Sequence, residues 1–355
     1  MTIYYILYFS MFLLWILISK YKKIYFVYIS TCCLLLMYSL RSDSVGWDTY
    51  NYKNIFEKIY SFDMFRSYIE PGWIVLNRVI YKISPDFQIA LLVYGLIMLY
   101  CYNRMVLRYS KNYFVSFSVF YLCGFYFNSM NQTRQMMAIM LCTISVSYLV
   151  DKKLFRAILI NFIAILFHSS AFFFLIFFGA AYFVKKIDIH LAIIITVSLI
   201  VYLSFADLII IRLSKYFYTN YFTESALQRH IKSGNMKMAI PYLLLLFLCL
   251  LCRKLHPRLI DKANSAIVEY YSLLLSILGC VILLMSLRLS LLQRVSEYFT
   301  VYFIILLPNE LMRIKSQSNR LVIQLSLMAG GLVMSLIYLR YSESGGGGAC
   351  RYCTI

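Results

Sequence analysis

The chain has 355 residues, of which 62% are hydrophobic and 14% charged. Its apolar runs repeatedly reach the roughly 20 residues that a helix needs to cross a bilayer, which excludes a soluble globular fold. A formal charge of +19 would suggest nucleic acid as the partner of a soluble protein, but many of these Lys and Arg residues sit in short links between apolar runs, where they signal topology. No nucleic-acid partner is expected.

Lipid offers the backbone no hydrogen-bond partners, so spans must be helices or closed barrels, and these runs are continuous instead of alternating. Thr2 to Ser19 is the first span; it lacks a basic start and a small-residue cleavage site, so it reads as retained. The link with Lys20, Lys22 and Lys23 is cytoplasmic by its charge, and Ile24 to Leu40 is the second span. The N-terminus and the stretch beginning at Arg41 are then outside. That stretch, RSDSVGWDTYNY, sets Arg41, Asp43 and Asp48 beside Trp47, Tyr50 and Tyr52. Charge this close to hydrocarbon is costly, which points to function. From Arg41 to Asp86 the chain stays mixed, with Glu57, Asp63, Arg66 and Glu70 among aromatics. Gly72 to Ser84 is too short to span and predicts an in-plane or re-entrant helix entered through Pro71.

Phe87 to Leu107 crosses inward to Arg108 and Lys111, Tyr113 to Met130 crosses back, and Asn131, Gln132, Arg134 and Gln135 are outside. Met136 to Val150 returns to Lys152 and Lys153. The run Leu154 to Val184 is broken by His168, Ser169 and Ser170, and since Lys185 and Lys186 must again be inside, two short spans with His168 at the outer turn fit best. Ile189 to Ile211 leads out to the polar loop Arg212 to Lys237, and Met238 to Cys252 comes in to Arg253, Lys254 and Arg258. Ala266 to Leu287 exits to Arg288 and Arg294, Val295 to Leu311 re-enters, and Leu321 to Leu339 exits last. The reading is an all-α polytopic membrane protein of about 12 transmembrane helices with both termini outside. Residues 1–340 form one integral membrane domain, with main outer loops 41–86 and 212–237, and the Gly-rich tail 341–355 is flexible. No internal repeat supports an inverted-repeat transporter plan.

Four polar groups punctuate the outer face: Arg41 with Asp43 and Asp48, Asn131 to Gln135, His168 with Ser169, and Arg288 with Arg294. Arginine is always charged and forks onto phosphate, so Arg41, Arg134, Arg288 and Arg294 suit a ligand with several negative oxygens, such as a polyprenyl diphosphate sugar. As interfacial anchors, the same arginines would only snorkel. Asp48 and Glu70 are placed for general-base work, and so is His168, whose ordinary pKa of about 6.5 lies near working pH. Either carboxylate could instead only pair with an arginine, and His168 could be a helix-end histidine bonded to a carbonyl. Trp47, Tyr50 and Tyr52 offer stacking faces to sugars, or an interfacial aromatic belt. The cysteines lie mostly in apolar runs; Cys249 with Cys252, and Cys350 with Cys353, have CxxC spacing without a second pair, so neither a metal site nor a cofactor is expected.

The segment Arg41 to Tyr52, the run NQTRQMMA from Asn131 to Ala138, and FHSSA from Phe167 to Ala171 resemble, in order and spacing, the successive motifs of the EpsG family of Wzy-type polysaccharide polymerases. The resemblance covers the first half; the second half is similar in hydropathy and in its outer arginine loop near Arg288. It implies a GT-C-like polymerase architecture in the bacterial inner membrane, with both termini periplasmic. It also implies a glycosyltransferase that moves a growing glycan from one undecaprenyl diphosphate carrier onto the non-reducing end of another carrier-linked repeat unit, building O-antigen or exopolysaccharide at the periplasmic face. Expected substrate contacts are Arg41, Asp43, Tyr50, Tyr52, Arg134, Gln135, Arg288 and Arg294, with the base among Asp48, Glu70 and His168. Membrane lipid and a chain-length regulator protein are the expected partners. The rival readings are a lipid-linked oligosaccharide flippase, which needs charge along a path open to both faces, and an O-acyltransferase, which needs functional residues on the inner face.

Overall fold

The computed structural model describes residues 2–18, 22–46, 48–63, 69–175, 236–257 and 263–343. Regular structure among them is helical throughout. In chain order the helices are α1 (Thr2–Leu17), α2 (Lys23–Ser39), α3 (Thr49–Glu57), α4 (Pro71–Ile83), α5 (Phe87–Tyr109), α6 (Tyr113–Leu122), α7 (Phe125–Asn131), α8 (Thr133–Val150) and α9 (Leu154–Phe167). After residue 235 come α10 (Met236–Leu255), α11 (Ala263–Met285), α12 (Leu291–Thr300), α13 (Phe303–Leu311) and α14 (Gln317–Glu343). The chain forms two compact units, Met1–Phe172 with Leu307–Ile355, and Phe173–Leu306.

Among the described residues three helices, Phe87–Tyr109, Thr133–Val150 and Ile267–Met285, are long and apolar enough to cross a membrane; Ile3–Leu17, Lys23–Ser39, Tyr113–Leu122 and Leu154–Phe167 are shorter apolar helices. A polytopic membrane protein fits this set. The expected span Ile189 to Ile211, most of the loop from Arg212, and the tail beyond residue 343 lie outside the described residues.

Local chemistry explains the boundaries. Asp86 caps α5 by accepting from the Gln88 amide at 2.9 Å, and Asn112 caps α6 by accepting from the Val115 amide at 3.2 Å. Pro71 opens α4 at the position where its missing N–H is no loss. Two expected spans are divided. Tyr113–Met130 breaks into α6 and α7 because Gly124 takes φ +86°. Val295–Leu311 breaks into α12 and α13, where Tyr302, Ile304 and Ile305 bond three residues back. The break expected at His168 is present: α9 ends at Phe167 and helix resumes at Ala171.

In the first unit α5 packs on α2 and α8, α8 on α9, and α14 on α6. Buried tyrosines here send their hydroxyls to neighbours, as an apolar interior requires. Tyr8 meets Ser118 Oγ at 2.9 Å, Tyr121 donates to Tyr4 O at 2.8 Å and Tyr126 to Leu34 O at 2.8 Å. At the end of the unit holding the α5–α6 and α8–α9 links, Asn309 brackets the α5–α6 link, accepting from the Lys111 amide at 2.9 Å and donating to Tyr109 O at 3.0 Å. Arg108 and Asp151 pair at the same end. The opposite end gathers the Arg41 stretch, the start of α4, the α7–α8 junction and the His168 turn.

Candidate active site at one end of the first unit

The geometry is built on the carbonyl of Met130, near the end of α7. Thr49 Oγ1 donates to it at 3.0 Å, and Arg41 Nη2 reaches it at 3.5 Å while Nη1 donates to Tyr38 O at 2.9 Å. Gly46, with φ +93°, lies so close that a Cβ there would sit 2.4 Å from this oxygen. Tyr38 adds a bridge from α2, its hydroxyl 3.2 Å from both Ser129 O and Thr133 Oγ1. The guanidinium of Arg41 stacks 3.9 Å over the Tyr38 ring and the side chain is 0% exposed. Helix C-terminal carbonyls attract cations, so a buried arginine between the ends of α2 and α7 is well placed to join them.

The α7–α8 junction is thereby set against the start of α3. Asn131 Oδ1 accepts from the Asp48 amide at 3.1 Å. In the first turn of α8, Arg134 Nη1 donates to Glu70 Oε2 at 2.6 Å. Glu70 Oε1 accepts from the Ser169 amide at 3.1 Å, so one carboxylate ties α8 to the turn after α9. The approach of α4 to α9 that makes this contact possible needs Gly72, where a Cβ would lie 2.7 Å from Leu166 O. Within the turn, His168 Nδ1 is 2.6 Å from Ser170 Oγ and 3.3 Å from the Ser170 amide.

Tyr52 lies between the charged groups, buried against Trp73 with ring centroids 5.6 Å apart and with Arg134 5.9 Å from its ring centroid. Burial pushes its phenol up to about 12, the Arg134 charge opposing and Asp48 adding. Tyr52 is therefore a neutral hydroxyl near pH 7. Asp43 lies toward solvent, bonded to Lys53 Nζ at 2.8 Å, and this bond holds its carboxyl below the ordinary value.

Of the residues expected from the sequence, Asp48, Glu70, Tyr52, Arg134 and His168 come together at this end. Arg41 is placed beneath them, fully buried. Gln135 is buried within α8 at 2% exposure, and Tyr50 is exposed on α3. Arg288 and Arg294 belong to the second unit, on the turn from α11 and in α12. Trp47 lies outside the described residues. The sequence reading missed Gly46, Thr49, Gly72 and Ser170. A Pro-Gly pair directly after a lone acid, and a serine two residues past a lone histidine, were the available signals.

The EpsG family model matches residues 23–347, nearly the whole chain. The chain belongs to the EpsG family. This family is associated with exopolysaccharide biosynthesis. No curated protein and no solved structure matches the chain. In this EpsG-family protein, then, the three sequence motifs, far apart along the chain, meet at one end of one unit.

Proposed function

We propose that this EpsG-family protein polymerises undecaprenyl-diphosphate-linked oligosaccharide repeat units into O-antigen or exopolysaccharide, by metal-independent glycosyl transfer at the periplasmic face of the bacterial inner membrane. The observation that carries the reading is the Glu70 carboxylate, bonded to Arg134 on one oxygen and to the Ser169 amide on the other, with Asp48 held nearby through Asn131.

The reaction asks for two things. The acceptor hydroxyl oxygen must attack C1 of the donor sugar and lose its proton to a base, and the C1–O bond to the diphosphate must break with its electron pair leaving on the diphosphate. Arg134 supplies fixed positive charge for that leaving group; a guanidinium carries five N–H groups in a fork, enough to serve Glu70 and a phosphate oxygen together. Asp48 takes the acceptor proton. Glu70, with both oxygens accepting, holds Arg134 and the His168 turn in place. Arg41 fixes the α2 and α7 ends that carry the site. Tyr50, exposed on α3, offers a face to sugar rings. Arg288 and Arg294 enter the proposal as anion-binding groups of the second unit. Direct displacement inverts the anomeric centre.

Deleting the gene in a strain with a defined surface glycan tests the reading. A single repeat unit on the lipid acceptor supports polymerisation. No repeat unit at all would assign the protein to an earlier step or to a flippase.

A further inference from the structure

We infer that Tyr52 is a further catalytic residue of the proposed transfer, donating a hydrogen bond from its phenol O–H to the diphosphate oxygen that departs from C1. The inference rests on the function proposed above and assigns one group within it. The sequence offers the Tyr52 ring as a stacking face for a sugar, and packing removes that role. Tyr52 is 7% exposed, and its ring lies against Trp73, which is itself fully buried and packs on Tyr94 with centroids 4.6 Å apart. Stacking needs an open aromatic face, so the hydroxyl is the part of Tyr52 left for a ligand.

That hydroxyl sits between the two groups the reaction uses. The Tyr52 amide donates to Asp48 O at 2.9 Å, so one turn of α3 carries both Tyr52 and the proposed base. On the other side the Arg134 guanidinium lies 5.9 Å from the ring centroid and hydrogen bonds to the hydroxyl. Arginine only donates, so the phenol oxygen accepts from Arg134 and keeps its own O–H to give. Among the described residues no carbonyl or carboxylate takes that O–H. Burial holds the phenol protonated at neutral pH. The Arg134 side chain is 21% exposed, so a diphosphate can reach it, and an oxygen held there lies beside the Tyr52 hydroxyl. Negative charge grows on that oxygen as the C1–O bond breaks, so a fixed O–H contributes more in the transition state than in the bound donor. Tyr52 keeps its proton throughout. The acceptor oxygen bonds to C1, its proton goes to the Asp48 carboxylate, and the C1–O bond to the diphosphate breaks with the electron pair on the diphosphate.

Tyr52→Phe removes the oxygen and keeps the ring against Trp73. Full-length wild type, Tyr52→Phe and Asp48→Asn in nanodiscs are given synthetic lipid-linked repeats whose two phosphates are bridged by oxygen, by CF2 or by CH2, the last being the poorest leaving group. Tyr52→Phe should elongate the natural donor about 100-fold more slowly while its affinity for that donor stays within about threefold of wild type. Its defect should deepen from the CF2 to the CH2 donor, because the missing hydrogen bond serves the leaving group. The Asp48→Asn defect should not follow the bridge, because Asp48 serves the nucleophile. Undecaprenyl diphosphate, which already carries the negative oxygen, should bind Tyr52→Phe about tenfold more weakly than wild type. Elongation by Tyr52→Phe at the wild-type rate, or a defect indifferent to the leaving group, overturns the inference. Should Tyr52→Phe fail to fold, 3-fluorotyrosine at position 52 keeps the ring and strengthens the donor: elongation at least as fast as wild type supports the inference, and slower elongation counts against it. If wild type binds undecaprenyl diphosphate but elongates nothing, the polymerase reading fails, and equal affinity of wild type and Tyr52→Phe for that lipid then decides separately against the hydroxyl. If wild type binds neither lipid, both readings fall.

Discussion

At the scale of single residues, the pair Glu70–Arg134 joins positions 64 residues apart, and their side chains are only 15% and 21% exposed. Removing one partner leaves the other without its charge-assisted bond, worth about 1.5–3 kcal/mol at such a site. Glu70→Gln should therefore lower stability by about that amount, measured by thermal unfolding in detergent. A double-mutant cycle with Arg134→Gln should recover most of it as coupling. Arg134→Lys keeps the charge but loses the planar fork. It should insert at wild-type levels and yield little polymer by gel analysis of surface glycan; full-length glycan would make Arg134 an interfacial anchor. Asp43 and Lys53 form the contrasting case, with side chains 34% and 37% exposed. The lowered Asp43 carboxyl gives stability above its unfolded pKa, near 3.9, that fades as pH falls through the lower folded value. The raised Lys53 ammonium gives stability below its unfolded pKa that fades as pH climbs through the higher folded value. Solvent screening keeps the pair under about 0.5 kcal/mol, so Asp43→Asn should shift chemical unfolding at pH 7 by no more than that. Charge that is rare here and costly near lipid marked Glu70, Arg134 and Asp43 as candidates, while Lys53 was not singled out. Which of them pair was not legible, since partner choice depends on how helices far apart in sequence pack; Arg41 looked like Arg134 in the sequence, and only the ends of α2 and α7 closing around it show the difference.

At the scale of elements, the site depends on two close approaches. A Cβ at position 72 would meet the backbone of Leu166, which no rotamer change relieves. Gly72→Ala should push α4 off α9, cost about 1–3 kcal/mol and impair elongation in proportion to the lost Glu70–Ser169 contact; the readouts are thermal unfolding and hydrogen exchange at the His168 turn. An unchanged exchange rate would show that α4 does not position the turn. Gly46→Ala meets both Met130 O and a left-handed backbone, so its cost should be at least as large. The helices themselves were largely legible. Apolar run length, the Pro71 start and the His168 break all act within a few residues of where they stand. The divided runs were not, because Gly124 is one small residue in an apolar stretch, and nothing in hydropathy marks the bonds three residues back at Tyr302 and Ile304.

At the scale of the molecule, basic links gave an alternating path whose outer polar groups all fall on one side, and the first unit does gather Asp48, Glu70, Arg134 and His168 at one end with the Arg108–Asp151 pair at the other. The proposed orientation rests on the positive-inside tendency. Single cysteines placed at Asp48 and at Ser169 in a cysteine-free background should react with a membrane-impermeant maleimide in intact cells, and one at Lys152 should not; labelling at 152 alone would invert the topology. The central claim is that this end of the first unit performs glycosyl transfer with Asp48 as the base. Purified protein, given a synthetic lipid-linked repeat unit, tests it most directly through the elongation rate of Asp48→Asn, with donor binding measured separately. A general base contributes about 100- to 10,000-fold, so the account predicts a loss in that range with donor affinity retained. Elongation by Asp48→Asn at the wild-type rate would contradict it.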